Sequence, residues 1–267
     1  MKLIILAAGK GERLMPLTRN TPKPLLDMGN GYTLLEEQLR AAQAAGVVDE
    51  TVLVVGYLAA QVEAKLEFHR EAGLCVRTVY NPFYEVSNNL MSLWLARHEM
   101  TADFMITNGD NLFAPEVFRG LADGSREGIT LSVSPKAVFD ADDMRVTLDA
   151  GAVLRVSKQI ADAESQAESP GLALVRGSRA RTIFADHLER MVRQNGYLKK
   201  FWLEVFNHLA DEGVRVGAWP FDGAALWREV DFHDDVTGLR SALQLKVQPL
   251  LAGAAPTLSP AAARIGR

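Results

Sequence analysis

Residues 2–14 read Lys-Leu-Ile-Ile-Leu-Ala-Ala-Gly-Lys-Gly-Glu-Arg-Leu. A short apolar run, Lys2 to Leu6, empties directly into Ala7, Ala8, Gly9, Lys10 and Gly11. Small residues let backbone N–H groups approach an anion, and Lys10 and Arg13 add two cations, so the strand-to-loop step reads as a phosphate site. A dinucleotide fingerprint would carry Gly or Ala where Leu14 stands, and a P-loop would carry Gly-Lys-Ser/Thr after four intervening residues; neither pattern is met. Taken alone, Gly9-Lys10-Gly11 also reads as a tight turn.

Outward from this loop, apolar or β-branched runs recur at 51–55, 75–79 and 104–107, separated by helix-like stretches at 33–45 and 59–72. This alternation implies an α/β fold with a doubly wound, mostly parallel sheet. Leu35, Leu39 and Ala42 recur at helical spacing and Gly46 supplies a stop. From residue 128 the pattern changes to strand-like pieces at 129–133, 144–148 and 152–157, joined by acidic or glycine-containing turns, which predicts a more antiparallel lobe. The small, polar stretch 161–170 (ADAESQAESP) reads as an exposed loop over a pocket. Helices are expected at 181–194, 198–211 and 235–246, a strand at 214–218, and a loose Ala/Pro-rich tail at 252–267.

The chain has 267 residues, long enough to bury a sizeable core without disulfides or metal staples. Twenty-nine lysines and arginines against 33 aspartates and glutamates leave a net charge of −4, which gives no global field for nucleic acid or an anionic membrane. Any bound phosphate must be held locally. The single cysteine, Cys75, excludes an intrachain disulfide and a cysteine-based zinc cluster, and the N-terminal apolar run is too short for a bilayer span, so a cytoplasmic protein is expected. The five histidines are scattered, and no Ser-His-Asp arrangement can be traced from their spacing.

Further along, Lys23 stands between Pro22 and Pro24, which stiffen the backbone around it and suit its ammonium to neutralising phosphate oxygens. By itself the segment also reads as a solvated turn. Asp110 follows the 104–107 run and falls just beyond the carboxyl end of an expected parallel strand, where open α/β sheets bind ligands. Much later, Glu229-Val230-Asp231 would place two carboxylates on one face of an extended segment. Oxygen ligands without a nearby His or Cys cluster favour Mg2+. The competing readings are a turn aspartate at 110 and a solvated strand face at 229–231, while Asp234 and Asp235 read as helix caps.

The run Leu6 to Leu14, continued by Pro16-Leu17-Thr18 and Pro22-Lys23-Pro24-Leu25, resembles the nucleotidyltransferase family that joins a nucleoside triphosphate to a phosphorylated small molecule. The resemblance implies a Rossmann-like α/β core with an inserted acceptor-binding lobe. A single domain over 1–251 would divide into a nucleotide half at about 1–127, an acceptor lobe at about 128–228 and a return to the core. It further implies metal binding by Asp110 and Asp231, with Glu229 added in the cytidylyltransferase branch. Leu6, Ala7, Ala8, Gly9, Lys10 and Gly11 would cradle the nucleotide, with Lys23 and Arg13 stabilising the leaving pyrophosphate.

The string from Asn81 through Ser87-Asn88-Asn89 to Ser92-Leu93 looks like the branch that uses CTP with choline phosphate and related phosphonates. Ser87, Asn88 and Asn89 are therefore candidate nucleotide contacts, although Ser87 or Asn88 also reads as a helix cap. Lys158 resembles the family's lysine for the acceptor phosphate. A quaternary ammonium would call for an aromatic cage, with Phe201, Trp202, Trp219 and Trp227 as candidates, and a primary ammonium for carboxylates and hydroxyls such as Glu168, Ser169 or Asp143. A sugar-1-phosphate nucleotidyltransferase and a catalytically silent nucleotide-binding regulator remain open alternatives. Family members are often dimers, so a homodimer is an expected partner state.

Overall fold

The computed structural model describes residues 1–244. In chain order the elements are β1 (Lys2–Leu6), α1 (Leu34–Ala45), β2 (Glu50–Val55), α2 (Ala59–Glu71), β3 (Val76–Tyr80), α3 (Asn89–Leu95), β4 (Phe104–Asn108), β5 (Asn111–Phe113), α4 (Pro115–Gly124) and β6 (Gly128–Pro135). There follow β7 (Arg145–Asp149), β8 (Ala152–Ser157), β9 (Ala167–Glu168), β10 (Leu172–Arg176), α5 (Ser178–Val192), α6 (Glu204–Asp211), β11 (Val216–Pro220), α7 (Gly223–Leu226), β12 (Trp227–Glu229) and α8 (His233–Gln244). The expected tail at 252–267, and residues 245–246 of the helix expected at 235–246, lie outside the described residues.

β3, β2, β1 and β4 pair in that order and all in parallel. Leu3 and Ile5 enter the core on one face, with α1, α2, α4 and α8, while Ile4 and Leu6 enter the core on the other, with α3, α5 and α6. Burial on both faces is why these strands read as unbroken apolar runs rather than alternating ones. Helix α1 starts where Thr33 and Glu36 exchange side-chain-to-backbone hydrogen bonds in a capping box, and it ends at Gly46, whose φ of 71° is the left-handed conformation that glycine adopts freely.

Beyond β4 the same sheet continues through antiparallel neighbours, β10 then β6, β9, β7, β8 and β11. Because β11 pairs both with β8 and, in parallel, with β6, the strands β6-β9-β7-β8-β11 form a closed ring of pairings. The second half of the chain is thus continuous with the first, joined through β10. A separate two-stranded pairing, β12 with β5, brings residues 227–229 back beside 111–113.

Two local expectations are corrected. Residues 198–211 are not one helix: a single 3-10 turn at Tyr197–Lys199 precedes α6. The break follows from docking on α3, where Asn88 N–H donates to Leu198 O, and Asn89 Oδ1 accepts from the Trp202 backbone N–H at 2.8 Å. Nor is 161–170 wholly an exposed loop, because Ala167 to Pro170 are buried and 167–168 form β9. Glu168 is drawn inside by pairing opposite Ser134 and Arg145 and by the Lys136 ammonium at 3.0 Å.

Candidate active site

A cleft of about 1100 Å3 opens at the carboxyl ends of β1 and β4, the place where parallel sheets leave loops free to bind ligands. Its floor requires close backbone approach. Gly109 N–H donates to Leu6 O at 2.8 Å, and a Cβ on Gly109 would stand 2.6 Å from that of Ala7, so only glycine fits there. In the loop after β1, Gly11 has φ 64° and accepts a hydrogen bond from Thr18 Oγ1 at 2.8 Å, which fixes the turn. Leu6, Ala7, Ala8, Gly9 and Gly11 line the cleft. Lys10 is not among its lining residues; it pairs with Glu85 at 2.8 Å.

The structure brings together acidic groups from opposite ends of the chain. Val230 N–H donates to Asp110 O at 3.0 Å and Glu229 pairs opposite Asn111, so Glu229 and Asp231 face Asp110 while Val230 is buried behind them. Each of the three carboxylates offers an oxygen within 4.8 Å of the others. Lys23 Nζ donates to Asp231 Oδ1 at 2.7 Å and Asp110 Oδ2 at 3.1 Å, and Arg13 donates to Asp231 Oδ2 at 2.8 Å.

Burial works against the Lys23 charge, but Asp110 and then Asp231 outweigh it and hold its pKa above the ordinary value. Glu229 is reached by water through the open mouth yet crowded by the walls, and that desolvation, with the charges of Asp110 and Asp231, pushes its carboxyl up to about 8. Asp110 Oδ1 is buried without a hydrogen-bond partner. An all-oxygen donor set of three carboxylates, one with an orphaned buried oxygen, fits a hard divalent cation.

The scaffold around these groups was not singled out in sequence. Gln38 Nε2, from α1, donates to the carbonyls of Asn108 and Asn111 at 3.2 and 2.8 Å, clamping the backbone on both sides of Gly109-Asp110. Asn111 Nδ2 donates to Pro170 O at 2.7 Å and its Oδ1 accepts from Trp227 Nε1 at 3.0 Å. One amide therefore ties the Asp110 strand to the strand carrying Glu229 and to the turn after β9. No local motif advertises either residue: Gln38 follows Glu36 and Glu37, and Asn111 follows Asn108-Gly109-Asp110, so each is one more polar side chain in a polar stretch.

On the wall formed by the second half, Lys158, just beyond β8, donates to Asp142 at 3.0 Å and its ammonium lies 5.7 Å from the Phe201 ring centre. Lys158, and then Arg13, draw the Asp142 carboxyl below its ordinary pKa. Lys136 Nζ sits among Asp143 at 2.7 Å, Glu168 at 3.0 Å and Asp140 at 3.5 Å. Burial opposes the Lys136 charge, but Asp143 and Glu168 hold it well above its ordinary pKa. Burial, with Asp143 adding to it, pushes Glu168 up against the pull of Lys136.

Ser87 and Asn88 line the cleft, Asn88 also as the cap of α3, with its side chain accepting from Asn89 N–H. The Asn89 amide lines the cleft too but binds inward, to Trp202 N–H and Asn108. Trp202 also lines the cleft but is fully buried, its Nε1 donating to Asn108 Oδ1 at 2.9 Å. Trp219 is a correction: it stacks on Phe221 and packs against Gly120 and Gly124, outside the cleft, because β11 turns it toward α4. His233 Nε2 contacts Met15 O, and Asp235, expected as an N-cap, lies instead in the first turn of α8 and reaches back to accept from the backbone N–H groups of Asp231 and Phe232.

Comparison with known proteins bears on this geometry. Residues 2–141, just over half of the chain, match the family model described as Nucleotidyl transferase. The chain belongs to the nucleotidyl transferase family. It is an enzyme of the nucleotidyltransferase type. A choline-phosphate cytidylyltransferase of Streptococcus pneumoniae is 39% identical over 119 residues, 45% of this chain and about half (48%) of that relative's length. A 2-aminoethylphosphonate cytidylyltransferase of Lancefieldella rimae is 30% identical over 217 residues, covering 78% of this chain and 80% of the relative. The solved structure of CTP:phosphocholine cytidylyltransferase from Streptococcus pneumoniae superposes with a TM-score of 0.69 at 25% identity, covering 91% of this chain and 98% of that one. Among the described residues, no helix is long and apolar enough to cross a membrane.

Proposed function

We propose that this chain is a cytidylyltransferase that transfers CMP from CTP to a small phosphonate or phosphate bearing a primary ammonium, of the 2-aminoethylphosphonate class, and releases pyrophosphate. The observation that carries the reaction type is the meeting of Asp110, Glu229 and Asp231 with Lys23 and Arg13 beside the β1 loop. The cytidylyltransferase relatives support the choice of base. In this reading residues at about 1–127 receive the nucleotide, and those at about 128–228 the acceptor.

The acceptor preference rests on the wall chemistry. Asp140, Asp143 and Glu168 set three carboxylates against the single Lys136 ammonium, a surplus of negative charge that suits a second ammonium. A quaternary ammonium wants aromatic faces; Trp219 lies outside the cleft, Trp202 lines it but is fully buried, and the Trp227 indole N–H is bound to Asn111. Phe201, half-exposed at the cleft near Lys158, and the choline-phosphate cytidylyltransferase relative favour choline phosphate instead.

An anionic acceptor oxygen needs alignment and charge neutralisation rather than a general base. It attacks the α-phosphorus as the bond to the β-phosphate's bridging oxygen breaks, and pyrophosphate carries away that electron pair. Lys158 orients the acceptor's phosphorus group, and Lys23, Arg13 and the loop N–H groups take up the charge of the leaving phosphates. Asp110, Glu229 and Asp231 would hold a divalent ion, Mg2+ by their oxygen chemistry, which when bound supplies further neutralisation to the triphosphate. Pyrophosphate release is the test, across the four nucleoside triphosphates with 2-aminoethylphosphonate, choline phosphate and glucose 1-phosphate. CTP with 2-aminoethylphosphonate is expected to be fastest. Preference for a sugar phosphate with another base, or nucleotide binding without turnover, would overturn the proposal.

A further inference from the structure

On the face of the sheet covered by α5 and α6, two histidines that are far apart in sequence meet. His187 of α5 is buried, and its Nδ1 lies 2.9 Å from the Nδ1 of His208 on α6, with the rings nearly perpendicular at 82°. Glu212, one turn after His208, adds a carboxylate 3.6 Å from His208 Nδ1 and 3.7 Å from His187 Nε2. One donor atom from each residue lies within 4.8 Å of the others, and a surface cavity of about 420 Å3, lined in part by His187 and Arg190, opens beside them. None of this touches the cleft.

The close Nδ1 pair has a chemical implication. Two ring nitrogens at hydrogen-bond distance require that at least one imidazole be neutral and present a lone pair to the other. Neutral imidazoles are the form that ligates metal. Zinc–nitrogen bonds of ~2.0–2.1 Å in a tetrahedral site put neighbouring ligand atoms roughly 3.4 Å apart. The imidazoles need part by only a few tenths of an ångström, and the His208–Glu212 separation is already close. Two imidazoles and one carboxylate suit Zn2+ and its neighbours rather than Mg2+.

We propose that His187, His208 and Glu212 form a transition-metal site that clasps α5 to α6, separate from the carboxylate cleft and independent of how the cleft is read. Its competitor is Arg190, whose guanidinium holds both Glu212 oxygens at 2.9 Å from a half-exposed position. The pair is bidentate but exposed, so a divalent ion must outcompete it for Glu212. The clasp has a mechanical reach. Asn207, beside His208, grips both the N–H and the carbonyl of Val156, two residues before Lys158.

Zn2+ binding to the full chain is measured by equilibrium dialysis in excess Mg2+, with Co2+ absorption in the visible reporting nitrogen ligation. One equivalent is expected, retained in Asp110→Asn and weakened by more than about tenfold in His208→Gln and in Glu212→Gln. Zn2+ should raise the unfolding temperature of the native protein but not of His208→Gln. Arg190→Gln, which frees Glu212, should tighten binding by up to about fivefold, the ratio matching an exposed ion pair. Absence of a bound equivalent, equal binding by His208→Gln, or weaker binding by Arg190→Gln would each overturn the proposal. The partly buried His208 and the exposed Glu212 carry the test if the buried His187→Gln fails to fold.

Discussion

Asn111→Leu isolates the part of the site that holds its two halves in register. Leucine keeps the same number and branching of side-chain heavy atoms but removes both hydrogen bonds, to Pro170 O at 2.7 Å and from Trp227 Nε1 at 3.0 Å. The first is buried, and its orphaned carbonyl costs about 1–3 kcal/mol; the Trp227 indole is partly exposed and recovers water, leaving about 1 kcal/mol. The sum, about 2–4 kcal/mol, corresponds to an unfolding temperature lower by roughly 5–15 °C for a chain of this size. Because β12 carries Glu229 next to Asp110, the same loosening should shrink the rise in melting temperature expected of Mg2+ under the proposed function. Urea and thermal unfolding with and without Mg2+ measure both effects. Stability within about 0.5 kcal/mol of the native protein, or an undiminished Mg2+ response, would refute the argument that this amide sets the register of the carboxylates.

Lys23→Ala should lower the rate of pyrophosphate release on the order of a hundredfold or more, since a fixed charge partner for the phosphates is lost; near-normal turnover would remove Lys23 from the mechanism. Gly109→Ala, whose new Cβ would meet Ala7 Cβ at 2.6 Å, should destabilise by about 1–3 kcal/mol in urea unfolding and reduce activity, because the floor must move. Burial pushes Glu36 up, but hydrogen bonds from His69, Thr33 and Lys65 prevail and hold it at about 2 against an ordinary 4.5. A folded-state pKa below the unfolded one gives stability present above about 4.5 and lost as pH falls through about 2, an upper bound of ~3 kcal/mol. Glu36→Gln should flatten that part of the acid limb, and an unchanged pH profile of urea stability would contradict it.

The features legible in sequence are those in which local chemistry and tertiary role coincide. Thr33 and Gly46 bound α1 because capping and left-handed turns are decided by a few neighbouring residues. Glu229-Val230-Asp231 sorts its side chains by strand alternation alone, and β5 completes the arrangement by pairing. What escaped the sequence depends on partners distant along the chain. Gln38 and Asn111 gain meaning only once they satisfy backbone groups 73 and 59 residues away. The stretch around Glu168 is polar and small in composition, yet Lys136 and two flanking strands draw it inside. Trp219 carries no mark in sequence of the face it takes, which depends on β11 lying beside α4. The histidines at 187 and 208 look scattered until two helices pack side by side.

Because β11 closes back on β6, the second half of the large sheet returns on itself, and β3 is left as the border of the parallel half. Arg77, in the middle of β3, is held by Glu50 and Glu99, so a charged fence stands along that border. Such charges discourage one polypeptide from zipping onto another's sheet. Self-association of this molecule is thereby steered away from strand addition and toward its side-chain surfaces.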